Sequence, residues 1–249
     1  MSTFIVHTIP GSPAARAVLA ALIEKGAPFQ VAGLAPGAQK AEPHLSRNPF
    51  GRMPVLESDD FTLYETQAIL RYLDRILPSP RLTPEDPQET ARMDQIMGIS
   101  DWYLFQGVNN VIGFHRIVGP RLLGLEPDEA AIAEAMPRAH VVFGELSRLL
   151  GAKPWLASAR MTLADLMVAP HMDFLAQTPE WATLTQGRSN LDEWLRRMND
   201  RACMKSTTWP AVAEMAERFS ARSPTGHGAR ATVAGAWQAG PGSSASRSA

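Results

Sequence analysis

Cysteine is almost missing: Cys203 stands alone in 249 residues, so the chain can form neither an internal disulfide framework nor a cysteine-based zinc cluster. Its six histidines are scattered without HxxxH spacing, and no metal site is legible. Long apolar runs are absent too. No stretch approaches the length that spans a bilayer, and the opening MSTFIVHTIP has neither a basic region nor a long apolar one, so neither signal peptide nor membrane span is predicted. Nor is there an excess of one charge. With 24 basic and 25 acidic side chains the net charge is -1, which gives no global pull toward nucleic acid or an anionic membrane. These absences predict a protein of a reducing compartment, the cytoplasm, with a small molecule as its partner.

What is present is an ordinary globular composition, 45% apolar, long enough for two domains. Residues 3–8 (TFIVHT) read as a short buried strand that ends at Pro10-Gly11. A helix follows, with Ser12 as N-cap, Pro13 at the first helical position, Val18, Leu19, Leu22 and Ile23 at helical spacing, and Gly26 at the close. Residues 28–34 add a second strand, which makes a βαβ unit. The Pro- and Gly-rich stretch 35–51 predicts an ordered loop with a short helix around 42–46. Residues 53–57 and 61–65, on either side of Ser58-Asp59-Asp60, read as a hairpin. Ile69, Leu70, Leu73, Ile76 and Leu77 then mark a helix that stops before Pro78.

Four prolines between 78 and 87 predict a stiff linker. Beyond it only helical patterns recur, over roughly 88–118, 128–150, 162–177, 189–200 and 209–219, and Thr162 with Asp165 fits a capping box. From Ala221 the Gly-, Ala- and Ser-rich composition, with three arginines, no acids and no apolar face, predicts a disordered tail over 221–249.

This order of elements, and the residues themselves, resemble the cytosolic glutathione transferases. PGSPAARAVLAALIEKG (10–26) is similar to the first-helix segment of the serine-type phi and related bacterial groups, with Ser12 four residues before Arg16. LSRNPFGRMPVLE (45–57) resembles the segment bearing that family's cis-proline, here Pro54, and YETQAILRYL (64–73) its acidic-plus-Ser/Thr signature, here Glu65 and Thr66. TLADL and LDEWLRRM agree in the helical half. The resemblance implies an α/β thioredoxin-like N-terminal domain over 1–78, a linker over 79–87 and an all-α bundle over 88–220. It also implies a homodimer, with glutathione as co-substrate and no metal.

Glutathione carries two carboxylates, an amine and a thiol. Glu65 and Thr66, at a strand-to-helix junction, suit its γ-glutamyl end, where free N–H groups and the helix dipole favour an anion and Glu65 can pair with the ammonium; a plain N-cap is the other reading. In the resembled family the residue before the cis-proline, here Met53, pairs its backbone with the cysteinyl part. Arg52 stands where the family often has Gln, which puts the contacts near the tripeptide backbone in question. Gln39 and Lys40 fall where phi-type sequences show His and Lys at the glycyl carboxylate, although Lys40 also reads as a solvated loop lysine.

Ser12 is the candidate catalytic residue. A thiol of pKa about 8.5 is about 3% thiolate at pH 7, and a hydroxyl hydrogen bond that lowers it by about two units makes roughly three quarters thiolate. Arg16 reads as a structural ion-pair residue and His7 as a packed or hydrogen-bonded one. Trp102, Tyr103, Phe105, Phe114 and His115 fall where the family builds its pocket for the hydrophobic electrophile, with plain core as the alternative for some of them. The leading reading is conjugation of glutathione to apolar electrophiles. A glutathione-dependent peroxidase or disulfide reductase, and a non-catalytic interaction module on the same fold, are the alternatives.

Overall fold

The computed structural model describes residues 3–77 and 79–222. Most of the expected tail, 223–249, therefore lies outside the described residues, as does Pro78 of the expected linker. Its first two residues, Ala221 and Arg222, form the exposed end of the last helix.

The β-branched run near the N-terminus forms β1 (Phe4–Thr8), and the apolar helix after it forms α1 (Pro13–Glu24). β2 (Phe29–Gly33) lies parallel to β1, as a βαβ unit requires. A 3-10 turn (Ala38–Lys40) and the short α2 (His44–Arg47) lead into the hairpin β3 (Val55–Ser58) and β4 (Phe61–Tyr64). β3 runs antiparallel to β1, so the sheet order is β2-β1-β3-β4. α3 (Thr66–Ile76) then packs beside α1.

α1 is buried almost all round, and its alanines Ala15, Ala17, Ala20 and Ala21 let it fit between the sheet domain and the helical domain. At its end, Lys25 Nζ donates to Asp74 Oδ1 at 2.5 Å and to the carbonyls of Leu77 and Pro80 at 2.6 and 2.5 Å. Asp74 in turn accepts from the backbone of Leu82 and Thr83, both at 2.9 Å. The proline-rich connection is thus anchored at its polar atoms, and Leu82 is buried.

The second half is helical. α4 (Pro87–Ile99) continues without a break into a π-wound segment (Ser100–Leu123), which Gly124 ends. The single helix expected to reach 118 therefore extends further and changes its winding. α5 (Glu129–Leu150), α6 (Leu163–Leu175) and α8 (Ser189–Asn199) occupy three of the expected helical stretches, with α7 (Glu180–Thr185) and α9 (Ala202–Lys205) as short additions. The capping box at the start of α6 forms: Asp165 accepts from Thr162 N at 2.8 Å and from Leu156 N and Trp194 Nε1, both at 2.9 Å. α10 (Trp209–Arg222) returns to lie along β2, where a helix covers an otherwise open sheet edge. No described helix is long and apolar enough to cross a membrane.

Candidate functional site

β1 ends one residue before the turn that delivers Ser12. Gly11 there has φ 86°, and a Cβ on it would lie 2.0 Å from the Trp209 ring, so glycine alone lets α10 close over the turn. Ser12 is the extended N-cap of α1, and its Oγ accepts from Ala15 N at 3.3 Å. Acceptance leaves the hydroxyl proton free to donate. Ser12 lines a cavity of about 580 Å3 between the two domains.

One end of that cavity is the β4–α3 junction. Glu65 holds φ 71°, and Thr66, 6% exposed, begins α3 with its N–H groups at the positive end of the helix. Asp101, from the π-wound segment, lines the same region and accepts from Gln67 Nε2 at 2.8 Å. Burial and the nearby Glu65 charge push the Asp101 carboxyl up, against the hydrogen bond from Gln67 and the charge of Arg52. A primary ammonium is the ligand group that would relieve this concentration of negative charge.

The loop before β3 forms another wall. Lys40 Nζ donates to Phe50 O at 3.2 Å, and the Oε1 atom of Gln39 is buried without a partner among the described residues. Gly51, with φ 57°, leaves room for them, since a Cβ would meet the Gln39 carbonyl at 2.7 Å. His44 Nε2 and Asn48 Nδ2 hold the Arg52 carbonyl at 2.8 and 3.0 Å. The Met53–Pro54 bond is cis, and Met53 Sδ accepts from Ile9 N at 3.3 Å. Gln39, Lys40, Arg52, Met53 and Pro54 thus face one cavity with Ser12, Glu65 and Thr66.

Of the aromatic side chains singled out for the electrophile pocket, Trp102, Phe105 and Phe114 line the cavity. Tyr103 and His115 are not among its lining residues. Tyr103 faces outward at 52% exposure, and His115 turns its Nδ1 to accept from Asp128 N at 3.3 Å. The reason is helical phase: lining positions recur as the pairs 101–102, 105–106 and 109–110 and then at 114, 118 and 122, and both residues lie off that face. Straight α-winding would rotate a four-residue repeat by about 40° per step, and the wider i→i+5 winding opposes that drift.

Asp101, Gln106, Asn109, Asn110, His171 and Trp209 also line the cavity, and none was singled out from the sequence. No local pattern marks them, because tertiary packing alone brings them together. Arg121 stacks its guanidinium 4.0 Å above the Trp209 ring centroid. His7 pairs with Glu57 at 2.7 Å, and Arg16 reaches Asp173 at 2.5 Å and Met204 O at 3.0 Å, so both act structurally. Burial pushes the Cys203 thiol up to about 12, which leaves it unreactive. Among the described residues no cluster could hold a metal ion.

Residues 2–75 match the model of the glutathione S-transferase N-terminal domain and residues 100–202 that of the C-terminal domain. Glutathione S-transferase F7 of Arabidopsis thaliana is 30% identical over 201 residues, which cover 79% of this chain and 94% of that protein. The chain belongs to the glutathione S-transferase family. Family relatives include FtsZ-localized protein A of Caulobacter vibrioides, 30% identical over 224 residues, or 85% of this chain and 94% of that protein. The family fold is matched by the crystal structure of glutathione transferase F7 from Populus trichocarpa, with a TM-score of 0.74 at 27% identity over 86% of this chain and 99% of that one.

Proposed function

We propose that this family member is a cytoplasmic glutathione transferase in which Ser12 donates a hydrogen bond to the glutathione sulfur and holds it as the thiolate for attack on an electrophile. The observation that carries the reading is the meeting, in one cavity, of a hydroxyl at a helix start with anchors for both ends of the tripeptide. Glu65, Thr66 and Asp101 take the γ-glutamyl end, Met53 and Pro54 the cysteinyl backbone, and Gln39, Lys40 and Arg52 the glycyl end. Residues 1–78 serve as the glutathione-binding domain and 88–220 as the electrophile-binding domain, joined at 79–87.

A second reading, a non-catalytic interaction module, draws support from the similarity to FtsZ-localized protein A, whose name records localization with another protein. An activity panel separates the two. The purified protein, given glutathione with aryl halides, hydroperoxides or small disulfides, should form conjugates with halides. Turnover of hydroperoxides or disulfides alone would instead indicate the reductase chemistry, and silence across the panel would favour the module.

A further inference from the structure

The wall that the helical domain gives this cavity is not uniformly apolar. Beside Phe105, Phe114 and Phe174 stand Gln106, Asn109 and Asn110 from the π-wound segment and His171 from α6. Asn109 and His171 are 5% and 1% exposed. Asn109 Nδ2 donates to the His171 backbone carbonyl at 3.2 Å, which fixes the two elements against each other, and the His171 ring tilts against Phe105 with centroids 5.7 Å apart.

The two ring nitrogens of His171 differ. Nδ1 is sealed in with no hydrogen-bond partner among the described residues. Nε2 is not among the sealed, unpartnered atoms and has no hydrogen bond to a described residue, and His171 lines the cavity, which makes Nε2 the nitrogen open to a ligand there. A buried orphan N–H is less tolerable than a buried orphan lone pair, so the proton belongs on Nε2. Burial lowers the imidazole pKa to about 4, which keeps the ring neutral near pH 7. The cavity wall therefore offers an uncharged N–H donor beside three phenylalanines, with the neutral amides of Gln106 and Asn110 nearby.

Such a donor favours a reaction that places new negative charge on an oxygen. We propose that His171 is a further catalytic residue, which donates from Nε2 to the carbonyl oxygen of an α,β-unsaturated carbonyl compound while the glutathione sulfur adds to its β-carbon. The inference rests on the glutathione reading of the same cavity. The C–S bond forms, the C=C π pair moves to the oxygen as an enolate, and the α-carbon then takes a proton from water, matching the one the thiol released on ionising. The imidazole keeps its own proton. Gln106 and Asn110 supply further neutral donors along the carbonyl compound.

The test compares two glutathione adducts that differ by one oxygen, S-(3-oxobutyl)glutathione and S-butylglutathione, by calorimetry. The wild-type protein should bind the oxo adduct about three- to tenfold more tightly, as one hydrogen bond implies. His171→Phe, which keeps a ring against Phe105, should bring that ratio to one, and His171→Gln should restore part of it. In kinetics, His171→Phe should lower kcat/KM for methyl vinyl ketone about tenfold or more relative to benzyl chloride, with melts confirming that the variant folds. A wild-type ratio of one, a ratio that survives His171→Phe, or equal losses with both electrophiles would overturn the proposal and leave the transferase reading intact. Failure of glutathione itself to bind would remove both.

Discussion

Glu65 carries a backbone that a side chain rarely accepts. Its φ of 71° costs on the order of 1–3 kcal/mol in a non-glycine residue, and it stands where β4 hands over to α3 at the cavity wall. Glu65→Ala or Thr66→Ala should weaken glutathione binding, since each removes a partner for a charged group at the helix start. Unchanged affinity in both, by calorimetry, would move the pocket elsewhere. Asp101 gives this end a pH dependence. Burial holds its carboxyl above the usual carboxylate range in the free protein, and a bound ammonium would draw it down. Binding then releases a proton, so affinity should fall as pH is lowered through the raised pKa. Asp101→Asn should bind less tightly and lose that slope, whereas an identical slope in wild type and Asp101→Asn would remove Asp101 from the ammonium site.

At the scale of elements, the Lys25–Asp74 pair ties α1, α3 and the proline-rich connection into one unit. Their side chains are 0% and 6% exposed, so Asp74→Ala leaves a buried ammonium short of its partner and should cost about 3–5 kcal/mol. Burial opposes ionisation of Asp74, but the hydrogen bonds from Lys25, Thr83 and Leu82 outweigh it and hold the carboxyl below its usual range. Its contribution is therefore present above the unfolded pKa and lost as pH falls through the folded one. Denaturant titrations should show acid destabilisation in the wild type that is reduced in Asp74→Asn; equal acid sensitivity would exclude the pair as its source.

Most elements were legible because their signals are local. Ser12-Pro13 and Gly26 bracket α1, and Thr162 with Asp165 opens α6, each as cap chemistry requires. The π-winding of Ser100–Leu123 was not, since apolar spacing near four residues suits either winding. α7 and α9 are too short to show a period.

At the scale of the whole molecule, the site divides along the same line. Ser12, Gln39, Lys40, Glu65 and Thr66 sit in local motifs of the first half and were readable from them, whereas Asp101, His171 and Trp209 reach the cavity only because α1 docks on α6 and α10 folds back to β2. Phe50, Phe61 and Tyr103 remain 63%, 46% and 52% exposed, which suits burial against a second copy of the chain. Analytical ultracentrifugation at micromolar concentration should find a dimer, and a monomer there would contradict it.

In the proposed reaction one half of the cavity anchors glutathione while Ser12 tunes its sulfur. Ser12→Ala keeps the carboxylate anchors, so it should bind glutathione within a few-fold of wild type. Loss of the hydroxyl should raise the bound thiol's pKa and slow conjugation at neutral pH by about one to two orders of magnitude. If Ser12 served only as an N-cap, the change would cost about 1 kcal/mol of stability and leave the thiol untouched. Ultraviolet titration of the bound thiolate in both proteins decides between them. The expected result is a midpoint shifted upward in Ser12→Ala, and an unchanged midpoint would contradict the assignment.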